Sequence, residues 1–329
     1  MQAKMLGALA AGLLCCLAGG EASAQQTIDL AIFHPEKNAW TPTLQWWIEE
    51  TAKATQNRVV FKAQFAGALV NVNETFKAVR DGAVPAGVVA AGAVSGQMPA
   101  MAYLEAIGGM PGDPDKFTAV QTALRPVLTD LLGRQGVTYL WGQGSGPLIV
   151  LCRDKHLIVP ADWKAKKVRT AGRWQAEQIR ALGAAAVSMD PAEQYLGLQN
   201  RTIDCALSIN LLAQSLKLYE VAPKITELRL PVNLSFYIMN KGQFEKLAAA
   251  DRETVLRLGV EGEKRSAPLL QKMSDDGAAA MKAQKADSVQ LNDAQLAEFR
   301  KGIAPAFAKM DAETGEDGKK IAAIVKKYW

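Results

Sequence analysis

The residue types that carry most enzyme chemistry are scarce in this chain. Its 329 residues include two histidines, His34 and His156. They lie far apart, and neither has a Cys, Asp or Glu at metal-ligand spacing. A histidine-based triad is equally hard to assemble from this stock. The run "GQGSG" (142–146) resembles a phosphate loop but lacks the Gly-Lys-Ser/Thr ending, and Ser145 sits in no G-x-S-x-G elbow. Its other reading is a flexible crossover between lobes. Acidic residues are plentiful, yet no pair stands out for acid–base work.

What remains is Arg169. In "KVRTAG" (167–172) a short apolar strand gives way to the helical stretch "RWQAEQIRALG". Ligands of open α/β sheets bind beyond the carboxyl ends of the strands, which is where this reading puts Arg169. The following helix presents unpaired N–H groups and the positive end of its dipole, and a guanidinium bonds a carboxylate with two prongs. Together these make a carboxylate receptor. The competing reading is a surface arginine paired with a nearby acid, and the pattern alone leaves both open.

The surrounding elements read as an α/β fold. "TIDLAIF" (27–33), "RVVFKAQF" (58–65) and "AGVVAAG" (86–92) are short apolar strands. Between them lie helices beginning at "TPTLQWW" and "VNETFKAVRDG". This alternation predicts helices covering a largely parallel sheet. "VTYLWGQGSGPLIVLC" (137–152) reads as two strands around a polar middle. Beyond it the grammar repeats: strands at "KVRT", "AAAVSM", "IDCALSI" and "ITELRL", with a helix after Asp190 and Pro191. "SFYIMN" (235–240) returns to the first lobe. From about 241 to the end the chain reads as mostly helical, with Asn292 as a cap.

The bulk numbers bound the class. The chain is long enough for two lobes. A net charge of +5 without a clustered basic run argues against nucleic acid. The first 24 residues fit a signal peptide: Lys4, an apolar core "LGALAAGLLCCLA", then "ASA" before a mature start near Gln25. The apolar run is short for a membrane span. Two cysteines, Cys152 and Cys205, remain after cleavage. An oxidising compartment permits a disulfide, but sequence does not show them close, and the reading as two small buried hydrophobes is preferred.

The stretch "ADWKAKKVRTAGRWQAEQIRALGAAAVSMDPAEQYLGLQNRTIDCAL" resembles the signature region of the extracytoplasmic solute receptors of TRAP (tripartite ATP-independent periplasmic) transporters, dicarboxylate-receptor type. The matching positions are Asp162, Trp163, Lys164 and Ala165 in a turn, then Lys167, Val168 and Arg169. They continue with Leu182, Gly183 and Ala184, then Glu193, Tyr195, Leu198 and Gln199, and finally Asp204. "VNETFKAVRDGAV", "YIMNKGQFEKL" and "LNDAQLAEFRKGIAPAF" extend the likeness over most of the mature chain.

The resemblance implies a two-lobed, periplasmic-binding-protein-like α/β fold with hinge strands and a long C-terminal helical segment. Residues 1–24 would be the signal peptide. Residues 25–145 plus 232–275 would form lobe I, 146–231 lobe II, and 276–329 helices packing across both. It also implies a periplasmic, monomeric receptor without cofactor or metal. Such a receptor closes on a small organic anion and delivers it to membrane permease subunits. Arg169 matches the family arginine that holds the substrate carboxylate.

The chain departs from the pattern at Gly146, near the place of a second cleft arginine, at Ser208, near an asparagine, and at Cys205, in place of glycine. One carboxylate on an uncharged or aromatic body fits these losses better than a dicarboxylate. Arg173 is a candidate replacement charge, and Trp40 and Trp174 are candidate stacking platforms. His34, at the end of the first strand, is a candidate hydrogen-bond partner in the cleft, and motif alignment places Gln143, Ser145, Ser208, Asn210 and Phe236 near it. The alternatives are an exported α/β enzyme acting on a similar acid, and a sensory receptor without transport.

Overall fold

The computed structural model describes residues 25–328 except 39, 112, 231 and 232, so the expected signal peptide lies outside the described residues. Eleven strands are described: β1 Gln26–Ala31, β2 Val59–Gln64, β3 Ala86–Ala90, β4 Val137–Gly144, β5 Leu148–Cys152, β6 Lys167–Thr170, β7 Ala185–Ser188, β8 Cys205–Ile209, β9 Lys224–Glu227, β10 Leu234–Asn240 and β11 Asp287–Gln290. They form two sheets, ordered β2-β1-β3-β10-β4 and β11-β9-β5-β8-β6-β7.

Each sheet is parallel except for one strand. β10 runs antiparallel to β3 and β4, and β5 runs antiparallel to β8 and β9. These two strands arrive from the other sheet, after β9 and β4 respectively. The chain therefore crosses between sheets at 145–147 and again at 228–233. The near-continuous apolar runs follow from helices covering both faces. With period two, Leu148, Val150 and Cys152 of β5 face a core with Trp163, Ile179 and Phe299. Ile149 and Leu151 face Ile225, Leu198 and Met281 on the other side. Likewise Phe236 and Ile238 of β10 face Leu124 and Tyr139, while Tyr237 and Met239 face Trp47 and Phe244.

A third connection is helical. The helix Ala249–Ala283 has 35 residues, about 50 Å at 1.5 Å per residue. It lies against β4 near one end and against the helix Asn210–Ser215 of the second sheet near the other. Gly259 permits the close approach, since a Cβ there would stand 2.6 Å from the Leu140 carbonyl oxygen. Glu263 then locks the contact. Its Oε1 accepts from the Tyr139 hydroxyl at 2.7 Å and the Gly142 amide at 3.0 Å, with the Arg125 guanidinium 2.8 Å away.

One expectation holds with an addition, and one changes. The C-terminal stretch is mostly helical, and one short strand interrupts it, because β11 adds to the edge of the second sheet parallel to β9. The run is short, three of its four residues are polar, and backbone pairing with β9 makes it a strand. The cysteines are not free. Cys152 and Cys205 are register partners on β5 and β8 and form a disulfide. The pairing comes from strand order and register across a separation of 53 residues.

Candidate ligand-binding site

The carboxyl ends of strands from both sheets converge on one cavity of about 70 Å³. The first sheet contributes Phe33 and Trp40 beyond β1, Ala90 and Ala93 at the end of β3, and Asn73 in the first turn of the helix Val72–Arg80. The second contributes Arg169 from β6, Ala171 and Gln175 just after it, Met189 beyond β7, and Ser208 from β8. The crossing segments close the ring with Ser145, Leu148, Asn233 and Ser235.

Arg169 is the one charged side chain among the described residues of this lining. It is 4% exposed. Its Nε donates to the Met189 carbonyl at 3.0 Å and its Nη1 to the Leu207 carbonyl at 3.0 Å. These two backbone oxygens fix the plane of the guanidinium, and Nη2 has no partner among the described residues. No carboxylate forms an ion pair with Arg169 among them either. Burial lowers its pKa to about 10, partly offset by the field of Asp190, so the cation persists at neutral pH. A buried cation normally carries a counter-ion. Here the protein supplies oriented carbonyls and leaves the remaining donors toward the cavity.

Neutral polar groups share the wall. Ser145 Oγ donates to the Asn233 carbonyl at 3.2 Å. Ser208 Oγ and Asn233 Oδ1 are buried without a partner among the described residues. Trp40 is a wall with its polar edge already committed, since its indole N–H donates to the Gly144 carbonyl at 3.0 Å. Its ring packs edge-on to Phe33.

The structure thus brings together Arg169, Trp40, Ser145 and Ser208 of the residues singled out from sequence. The other six do not line the cavity. Arg173 is ion-paired to Glu313 and lies over the Trp174 ring at 4.6 Å, so it does not replace the missing charge. Trp174 is fully buried in the core of the first sheet. Phe236 points into that core, and its neighbour Ser235 faces the cavity instead, as alternation along a strand requires. Gln143 donates to the Tyr237 hydroxyl at 2.8 Å. Asn210 donates to Ser274 Oγ at 3.3 Å. His34 sits behind Trp40, its Nδ1 3.0 Å from the Pro35 carbonyl oxygen, and burial lowers its pKa to about 4. Sequence reasoning missed Asn73, Gln175, Asn233 and Ser235. Ser235 did carry a signal, as a small polar residue in the otherwise apolar run "LSFYIM".

One further expectation fails. The helix after Arg169, Arg173–Ala181, does not offer its Trp174 and Gln175 amides to a ligand. The N–H groups of Trp174 and Gln175 both donate to Glu105 Oε1, at 3.0 Å each. The positive end of this helix is already filled by the protein's own carboxylate, which leaves Arg169 as the one charged group of the lining among the described residues.

The cavity lies between two sheets joined by three connections, and Arg169 is its one charged side chain among the described residues. A model of the family described as bacterial extracellular solute-binding protein, family 7, matches residues 30–314. The chain belongs to this family. Its members are extracellular solute-binding proteins rather than enzymes.

The chain is 26% identical over 261 residues to a solute-binding protein of Albidiferax ferrireducens, covering 76% of this chain and 75% of that one. It is 26% identical over 219 residues to the ectoine-binding periplasmic protein TeaA of Halomonas elongata, covering 64% of each. Among solved structures, an extracytoplasmic solute receptor of Bordetella pertussis binding pyroglutamic acid superposes with a TM-score of 0.85 at 19% identity, covering 92% of this chain and 99% of that one. A TRAP periplasmic solute-binding protein of Rhodoferax ferrireducens with bound malonate gives 0.83 at 22%, covering 92% and 98%. The two mixed sheets and the long C-terminal helical segment are the architecture of this fold. No described helix is long and apolar enough to cross a membrane.

Proposed function

We propose that the protein is exported, cleaved near Ala24, and acts as a monomeric receptor that hands a small organic monoanion to the membrane permease subunits of a TRAP transporter. Arg169 anchors the carboxylate. The observation that carries this reading is the buried guanidinium held by two carbonyls with no ion-pair partner among the described residues. A bound carboxylate completes its charge and its remaining donors.

The rest of the lining narrows the ligand class. With no second cation among the described residues of the lining, a second carboxylate on the ligand is desolvated without a partner, which is costly. With no acidic side chain among them either, an ammonium group has no counter-ion. A neutral polar body fits the unpartnered Ser208 hydroxyl and Asn233 amide oxygen.

The test is a thermal-shift and calorimetric screen of small acids. The panel includes pyroglutamic acid, malonate and ectoine, the compounds bound by the relatives and structural neighbours. A ligand that binds only the folded state raises the melting temperature. The reading expects singly charged acids to outrank malonate and zwitterions. Preferential binding of a dicarboxylate refutes the ligand class, and no binding by any acid refutes the receptor of organic anions.

A further inference from the structure

The helix Arg173–Ala181 begins at Gly172, which has no side chain to cap it. The cap comes instead from Glu105, 69 and 70 positions away in sequence, on a segment that packs with the core of the first sheet. The docking is extensive. Gln175 Nε2 donates to the Glu105 carbonyl at 3.2 Å, and Gln175 Oε1 accepts from the Ala171 amide at 3.0 Å. The Gln178 amide group pairs with both the N–H and the carbonyl of Ile107. Gly172 makes the approach possible, because a Cβ there would stand 2.3 Å from the Gly92 carbonyl oxygen and 2.6 Å from Glu105 Oε1.

The turn clamped in this way follows directly from Arg169, and two of its members, Ala171 and Gln175, line the cavity. We propose that Glu105 is a positioning residue for the ligand site, whose carboxylate sets the turn between Arg169 and Gln175 and whose charge opposes that of the bound anion. This inference rests on the receptor reading above.

The groups facing Glu105 are the Ser95 hydroxyl, the amides of Trp174 and Gln175, and the Arg173 guanidinium. They do not outweigh burial, which raises the Glu105 pKa to about 7. An anion arriving in the adjoining cavity raises it further, so binding takes up protons. By linkage, affinity increases as pH falls from 8 to 6. His34 titrates below this window, and Arg169 above it.

The experiment is calorimetric titration of the mature protein and its Glu105→Gln and Glu105→Ala variants with the singly charged acid that ranks first in the screen, at pH 6 and pH 8. The wild type is expected to bind about three- to tenfold more tightly at pH 6. Glu105→Gln keeps an acceptor for the two amides but no charge, so it should bind equally at both pH values, near the wild-type affinity at pH 6. Glu105→Ala removes the cap and should bind at least about tenfold more weakly at both. If Glu105→Gln keeps the wild-type pH profile, or the wild type has none, the inference is overturned. Should Glu105→Ala fail to fold, the Glu105→Gln profile still decides. Absence of binding by every acid overturns the receptor reading itself, a result distinct from binding with a flat profile.

Discussion

Replacing Arg169 by methionine should separate stability from binding. In the unliganded protein two effects oppose each other. The lowering of the Arg169 pKa from 12.5 to about 10 by burial corresponds to roughly 3 kcal/mol of desolvation, at about 1.4 kcal/mol per pH unit. Because the folded-state pKa is depressed, that penalty is in force at every pH below about 10, and methionine removes it. Methionine also strips the Met189 and Leu207 carbonyls of their donors, at ~1–3 kcal/mol each where they stay unsatisfied. The net change in stability therefore lies between about 1 kcal/mol of stabilisation and about 3 kcal/mol of destabilisation. Binding has no such compensation. Loss of the hydrogen-bonded, buried partner of a carboxylate costs ~2–5 kcal/mol, which is about 30- to 5,000-fold in Kd. Arg169→Lys keeps the charge without the planar fork and should fall between the two. Circular dichroism melting and calorimetric titration on the same samples read both quantities. A methionine variant that melts near the wild type and binds the acid within threefold would refute the anchor.

Reduction of the Cys152–Cys205 bridge, or Cys152→Ala with Cys205→Ala, should lower stability by about 2–4 kcal/mol. The loop-entropy model gives about 4 for a 53-residue closure. Chemical unfolding with and without dithiothreitol measures it, and an unchanged midpoint contradicts it. Ser208→Ala should weaken ligand binding about three- to tenfold, as loss of one neutral hydrogen bond does. Ser208→Asp, which puts a carboxylate beside Arg169, should abolish it, and calorimetry reads both. Glu263→Ala leaves the partly buried Arg125 without its carboxylate and frees the buried Tyr139 hydroxyl and Gly142 amide, so it should cost ~2–4 kcal/mol in a urea melt.

Local pattern carried much of this architecture, and long-range pairing carried the rest. Strand and helix alternation is visible in "TIDLAIF" or "RVVFKAQF" because burial on both faces leaves a continuous apolar signature. Arg169 was legible because a strand end followed by a helix is a local feature. The sequence motif points to Phe236, whereas Ser235 faces the cavity: strand phase depends on which side the cleft lies, and a one-residue error inverts the face. The Cys152–Cys205 bridge depends on the register of β5 against β8, which no nearby residue encodes. The Glu105 cap spans about 70 positions, so a helix start that local sequence leaves open to a ligand is filled by a distant carboxylate. β11 is too short and polar to be read without its partner strand. Arg173 is drawn away by Glu313, near the opposite end of the chain.

The most direct test of the central claim is a crystal structure of the protein with the highest-affinity acid from the screen. The account predicts a carboxylate oxygen about 2.7–2.9 Å from Arg169 Nη2, with the ligand body against Trp40, Ser208 and Asn233. A ligand whose carboxylate lies elsewhere in the cavity, with Nη2 bonded only to water or protein, would contradict it.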